Sequence, residues 1–210
     1  MDRVSIEAVD ADPIEVIAQA AYLELSEFEA MSRAAAAAPN LSAKEVLSTA
    51  AGLVLAKHKA LTAELRRRGS DPSEAMAPFR EGIDSFAQKV AGADWYEALV
   101  SVYLTSGLLD DFFSRLAAGI EDGGAKLSAT IAGDNGSEAI VDLLADAMVK
   151  DPKLGSRLAV WGRRLVGDTL LVARSALPRT EPNAERRIEP VLTELMAEHT
   201  RRMDRLGLTA

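Results

Sequence analysis

Apolar residues recur every three or four positions along nearly the whole chain, and no stretch alternates them every second position as a half-buried strand would. That periodicity limits the fold more than any motif does. It calls for amphipathic helices that bury one face against one another. The clearest stripe is Leu47, Ala51, Val54, His58, Leu61 and Leu65, at i, i+4, i+7, i+11, i+14 and i+18. One of the chain's 2 histidines interrupts it. His58 is therefore either a core side chain that has found a hydrogen-bond partner or a ligand. Aromatic residues make up only 5% and alanine is abundant, which favours close helix packing over a β core.

Helix signals divide the chain. Asp12 caps and Pro13 opens a helix over 13–38, and Pro39-Asn40 stops it. Ser42 and Glu45 form a capping box ahead of a helix over 43–68, with Gly69 as its stop. Met76, Phe79, Ile83, Phe86 and Val90 mark a shorter helix over 73–91. A long apolar helix follows over 94–120, then a segment over 125–150 interrupted at 132–137, and helices over 154–177 and 183–206. Two long helices, a connecting segment with its own helix, and a second long pair are the order of a four-helix bundle with one long crossover. The expected fold is thus all-α: a single domain over 1–210, with its bundle core at about 13–150 and two C-terminal helices at about 154–206 outside or extending it. A bundle joined only by short loops stays open.

Composition excludes several classes. A net charge of −8 argues against general nucleic-acid binding, and ELRRRG, WGRRLVG and HTRRMDRLG read as solvated helix ends. The absence of cysteine removes disulfides, thiolate metal sites and thiol nucleophiles, and fits a reducing compartment. No stretch approaches the roughly 18 apolar residues of a membrane span, and the acidic N-terminus lacks an apolar signal segment, so a cytoplasmic protein is expected. There is no phosphate-binding loop, dinucleotide fingerprint or serine-nucleophile elbow.

A bundle with this connectivity can hold two metals, using one Glu from each of two helices and Glu-x-x-His from each of the others. Acidic residues on core stripes are therefore the candidates. Glu24 shares its face with Ile17, Ala21, Phe28 and Met31, whereas Glu27 and Glu29 lie further round and read as solvated. Glu138 precedes Val141, Ala145 and Met148, and equally suits a helix N-terminus. Asp168 falls on the stripe of Trp161, Leu165 and Val172, where it is expected to pair with Arg163, Arg164 or His199, itself on an apolar face. Gly162 and Gly167 are expected to let helices approach closely.

The segments LELSEFEAMSRAA, LVLAKHKAL, DPSEAMAPF, YLTSGLLDDFF, RLAVWGRRLVGD and EHTRRMDRLGL resemble the ferritin-like proteins related to the tRNA 2-methylthio-isopentenyl-adenosine hydroxylase, in particular an actinobacterial branch of that group. The resemblance covers most of 13–207 and implies a ferritin-like bundle and, in intact members, a non-haem diiron centre that activates oxygen. Carried over residue by residue, Glu24 matches the first-helix glutamate, and the second-helix Glu-x-x-His reads Leu55-Ala-Lys-His58. Leu55 follows Glu24 by 31 residues, and 31 before Glu138 stands Gly107, with Asp110 and Asp111 one turn later. The fourth-helix motif reads Glu138-Ala-Ile-Val141. The resemblance thus implies a degraded site with vestigial metal positions at Glu24, His58 and Glu138.

No cofactor is expected, with a single iron completed by water as the alternative, and no catalytic or cofactor-binding residue is assigned. The expected function is a non-catalytic scaffold or binding protein. The alternative is an oxygen-dependent non-haem iron hydroxylase with a rearranged site. A protein partner or a homo-oligomer is open.

Overall fold

In a computed structural model that describes residues 12–176 and 184–209, every described element is helical. The first long pair is α1 (Pro13–Ala36) and α2 (Leu41–Arg67), which pack together more extensively than any other two helices. The crossover carries α3 (Pro72–Met76), a 3₁₀ turn (Ala77–Phe79) and α4 (Arg80–Lys89). Then come α5 (Trp95–Ala118), α6 (Gly124–Ile131), α7 (Ser137–Lys150), α8 (Pro152–Ser175) and α9 (Ala184–Arg205). Packing closes a ring: α1 touches α2 and α5, while α6 and α7 touch both α2 and α5. The broken pair α6–α7 is thus the fourth bundle helix, and the long-crossover order holds. Among the described residues, no helix is long and apolar enough to cross a membrane.

Local chemistry explains the boundaries. Asp12 caps α1 as expected, its carboxylate accepting from the Ile14 N–H at 2.8 Å. At α2 the cap is Asn40, not Ser42: the Asn40 side chain accepts from the Ala43 N–H at 2.9 Å, so the helix starts earlier. Gly69 (φ +80°) ends α2 with its N–H donating to Arg66 and the Ser70 N–H donating to Leu65. The expected helix over 73–91 is broken around Pro78, which lacks the N–H an α-helix needs there.

Why two helices lie outside the bundle follows from α5. Leu99, Val100, Leu104, Leu108, Phe112 and Phe113 are all essentially fully buried and spread around its circumference. A helix apolar all round needs more neighbours than a four-helix ring supplies. The extra cover is α8 and α9, which both pack on α5. Gly162 permits the approach, since a Cβ there would lie 2.4 Å from Met203 Sδ; Gly167 faces open space and has no such role. Ion pairs hold α9: Arg115 to Glu194 at 2.6 Å, Arg202 to Asp111 at 2.6 Å, and Arg205 to Glu138. The arginines of HTRRMDRLG are thus partly inter-helix anchors rather than solvated helix ends.

The break between α6 and α7 also depends on a glycine. Gly136 has φ +76°, and a Cβ there would lie 2.5 Å from Ala50 Cβ and 2.9 Å from Ala50 Cα on α2. Gly136→Ala combines left-handed backbone strain with a clash against backbone, so it should cost about 2–3 kcal/mol. Urea unfolding of this variant beside Gly133→Ala, whose position has an ordinary φ, checks the claim; equal stabilities would contradict it.

Candidate functional site

Halfway along α1, Glu24 enters the bundle on the apolar stripe of Ile17, Ala21 and Met31 and is only 3% exposed. Opposite it on α2, between the fully buried Val54 and Leu61, the side chain that points inward is Lys57, 6% exposed. Its ammonium lies 2.8 Å from Glu24 Oε1 and 2.8 Å from Asp110 Oδ2, the latter contributed by α5. Asn135, in the break between α6 and α7, donates to Asp110 Oδ2 at 3.3 Å. Glu27, one turn after Glu24, completes the group: oxygens of Glu24, Glu27 and Asp110 all fall within 4.8 Å of one another. α1, α2 and α5 therefore supply three carboxyls and one ammonium, and the break between α6 and α7 adds an amide.

Burial sets the electrostatics. It raises Glu24 well above the ordinary carboxylate range, reinforced by Asp110 and opposed by Lys57. Glu27 is pushed up to about 8, first by burial and then by Asp110, against Lys57 and Ser106. Asp110 is also raised, burial outweighing the pull of Lys57. Burial would lower Lys57, yet Asp110, Glu24 and Glu27 together raise it, so its charge is secure at any ordinary pH.

A raised acid keeps its proton in the folded state where the unfolded chain has lost it. Its contribution to stability is complete below its unfolded value of 4.5 and is lost as pH rises through about 8. Glu64 acts in the opposite sense: hydrogen bonds from Arg67 lower it to about 2, and its contribution is lost as pH falls through that value. Thermal stability should therefore peak in mildly acidic buffer and decline towards pH 8, and Glu27→Gln should flatten the decline. A melting temperature that climbs steadily from pH 5 to 8 would count against this assignment.

The three sequence-derived metal positions do not come together. Glu24 is in the cluster. His58 stands at the edge of the α2 stripe, half-buried, with Nδ1 2.8 Å from the Ala21 carbonyl oxygen, which is the satisfied-core alternative. Glu138 is 74% exposed at the surface and pairs with Arg205. Gly107 is not the third-helix acid position either: a Cβ there would lie 2.2 Å from Arg202 Nε, so it serves the passage of Arg202 to Asp111. The α5 acid is Asp110, one turn later. Glu27, expected to be solvated, instead has an Oε1 shut off from water, whereas Glu29 is exposed as expected and faces Arg33. Asp168 lines a cleft with Gln19 and Lys89, away from the pairing expected for it. His199 is 5% exposed, and burial lowers its pKa below the usual imidazole value.

A cavity of about 410 Å³ opens onto the cluster. It follows the seam between α1 and α5, lined from Ala20 to Ala37 on one side and from Trp95 to Phe113 on the other. Leu23, Ala30, Phe86, Val90, Val102 and Leu109 give it apolar walls, Glu24, Glu27 and Asp110 converge on it as an acid cluster, and Arg33 and Asp94 also line it. That volume lies in the range of about 300–1,000 Å³ common for small-molecule sites, and apolar walls with a few converging polar groups are their usual make-up.

A family model described as "Ferritin-like domain, actinomycetes" matches residues 8–180, from before α1 to beyond α8. No curated protein matches the chain.

Proposed function

The chain belongs to the actinomycete ferritin-like domain family, and from that premise we propose that it is a non-catalytic binding protein whose ligand, an apolar small molecule, sits between α1 and α5. The observation that carries this reading is Lys57. Its ammonium, 2.8 Å from both Glu24 and Asp110, supplies as a side chain the positive charge that a metal would bring to buried carboxylates. The cavity then opens onto an acid cluster that is already partly neutralised.

The ferritin-like fold implies a dinuclear iron centre, and the residues present do not fit one. The donor set Glu24, Glu27 and Asp110 contains no imidazole, and an ammonium stands among the carboxyls where cations would need to bind. Descent from a hydroxylase-like ancestor, with Lys57 taking over the neutralising charge, agrees with this donor set. The alternative reading, a non-haem iron hydroxylase with a rearranged site, draws its support from the convergence of three carboxyls.

The test uses N-phenyl-1-naphthylamine, an uncharged apolar fluorophore. It should bind saturably at one equivalent, and Ala30→Phe, which fills the cavity wall, should abolish binding while leaving the chain folded. No saturable binding, or equal binding by the variant, would refute the proposal. Anaerobic loading with ferrous iron decides the alternative: two equivalents bound, with oxygen consumed on exposure to air, would replace the binding reading with the hydroxylase.

A further inference from the structure

We propose that the ligand of this cavity carries an ammonium group, received by the free carboxyl oxygens of Glu24 and Glu27. The inference rests on the binding reading above and adds the chemical class of the ligand. Glu24 is 3% exposed, yet only its Oε1 is engaged, by Lys57. Its Oε2 and the Oε1 of Glu27 are both closed to water and have no hydrogen-bond partner. Both residues line the cavity, and rotation of a carboxyl about its soft terminal torsion brings a covered oxygen round to the cavity side. Leaving a buried carboxyl oxygen without a donor is costly, by about 1–3 kcal/mol or more.

No side chain donates to either oxygen, and several neighbouring hydrogens are bonded elsewhere. The Thr105 and Ser106 hydroxyls donate to the Ser101 and Val102 carbonyls at 2.8 and 2.6 Å. The Trp95 indole N–H donates to the Ala34 carbonyl at 2.9 Å. The Trp161 indole N–H is spent on the Ser101 hydroxyl at 2.8 Å. The missing donors must therefore arrive with whatever fills the cavity. Charge selects among donors: burial keeps a proton on Glu27 up to about pH 8, and a cationic head pairs with the carboxylate as that proton leaves, so three carboxyls facing a single ammonium favour a cationic head over a neutral hydroxyl and oppose an anionic one. The walls require the rest of the molecule to be apolar.

The experiment compares n-octylamine, octan-1-ol and octanoate, three probes with one chain length and three head groups, by calorimetric titration of the full chain. Octylamine should bind at least about tenfold tighter than octan-1-ol, the difference expected between a charge-assisted and a neutral hydrogen bond. Octanoate should bind weakest. Glu27→Gln should bring the amine down to about the affinity of the alcohol. Equal affinities for amine and alcohol, a preference for octanoate, or indifference of the amine to Glu27→Gln would overturn the inference. If N-phenyl-1-naphthylamine binds and octylamine does not, only the ligand class is lost; if neither binds, the binding reading falls with it.

Discussion

Replacing Lys57 with methionine is expected to destabilise the protein by about 3–5 kcal/mol at neutral pH, as removing one partner of a buried ion pair does. Methionine keeps the length and apolar stem of the side chain, so the loss reports the ammonium rather than a cavity. Without it, Glu24 and Asp110 lose the group 2.8 Å from each of them and keep their burial. Their carboxyls then have to hold protons to remain inside. Raised acids stabilise the fold below their unfolded values and lose that contribution as pH rises, so the deficit should be small near pH 4 and complete near pH 8. Adding Glu24→Gln and Asp110→Asn to the variant should recover most of the stability, since amides need no counter-charge. Urea unfolding at both pH values measures this. A loss below about 1 kcal/mol at pH 8 would mean that the pair is effectively solvated, and that Lys57 is not the charge that holds the cluster together.

Much of the architecture was legible because helices announce their faces and ends locally. The stripe through Glu24, the Asp12 cap, the stop at Gly69 and the interruption at 132–137 all reappear in the structure. The centre of the site was less legible, for a geometric reason. Each residue advances a helix by about 100°, so relative to Val54 and Leu61 positions 57 and 58 fall almost symmetrically on either side of the stripe. Periodicity alone cannot choose between Lys57 and His58, and a lysine reads as solvated by default. Three-dimensional packing chose Lys57, because carboxyls on α1 and α5 face that side. Asp110 was displaced for a different reason. The 31-residue spacing carried from the first pair to the second assumes equal offsets, yet α5 is also contacted by α9, and the position that spacing selects, Gly107, is taken by Arg202. Glu138 pointed outward because the turn that breaks α6 from α7 resets the helical phase, which no single-helix count can follow.

Lys57→Glu should turn the cluster into a cation site. A carboxylate at position 57 would join Glu24, Glu27 and Asp110, whose oxygens already lie within 4.8 Å of one another, and all positive charge would be gone. Without metal this variant should be less stable than Lys57→Met, because a fourth acid replaces a neutral side chain. All-oxygen donor sets suit manganese, so Mn²⁺ is the probe. A cation that binds only the folded state stabilises it by linkage, about 2.7 kcal/mol at a hundred times its dissociation constant. The expected result is a large Mn²⁺-dependent rise in the melting temperature of Lys57→Glu and none in the wild type. Leu55→Glu is the control: it places the acid where the resemblance to the hydroxylase-related proteins would have it, on a half-buried position that contributes nothing to the cluster, and should not respond to the metal. A rise for Leu55→Glu but not for Lys57→Glu would restore the register implied by the resemblance and displace Lys57 from the centre. A rise in the wild type would show that the ammonium yields to a cation, and the non-catalytic reading would lose its main support.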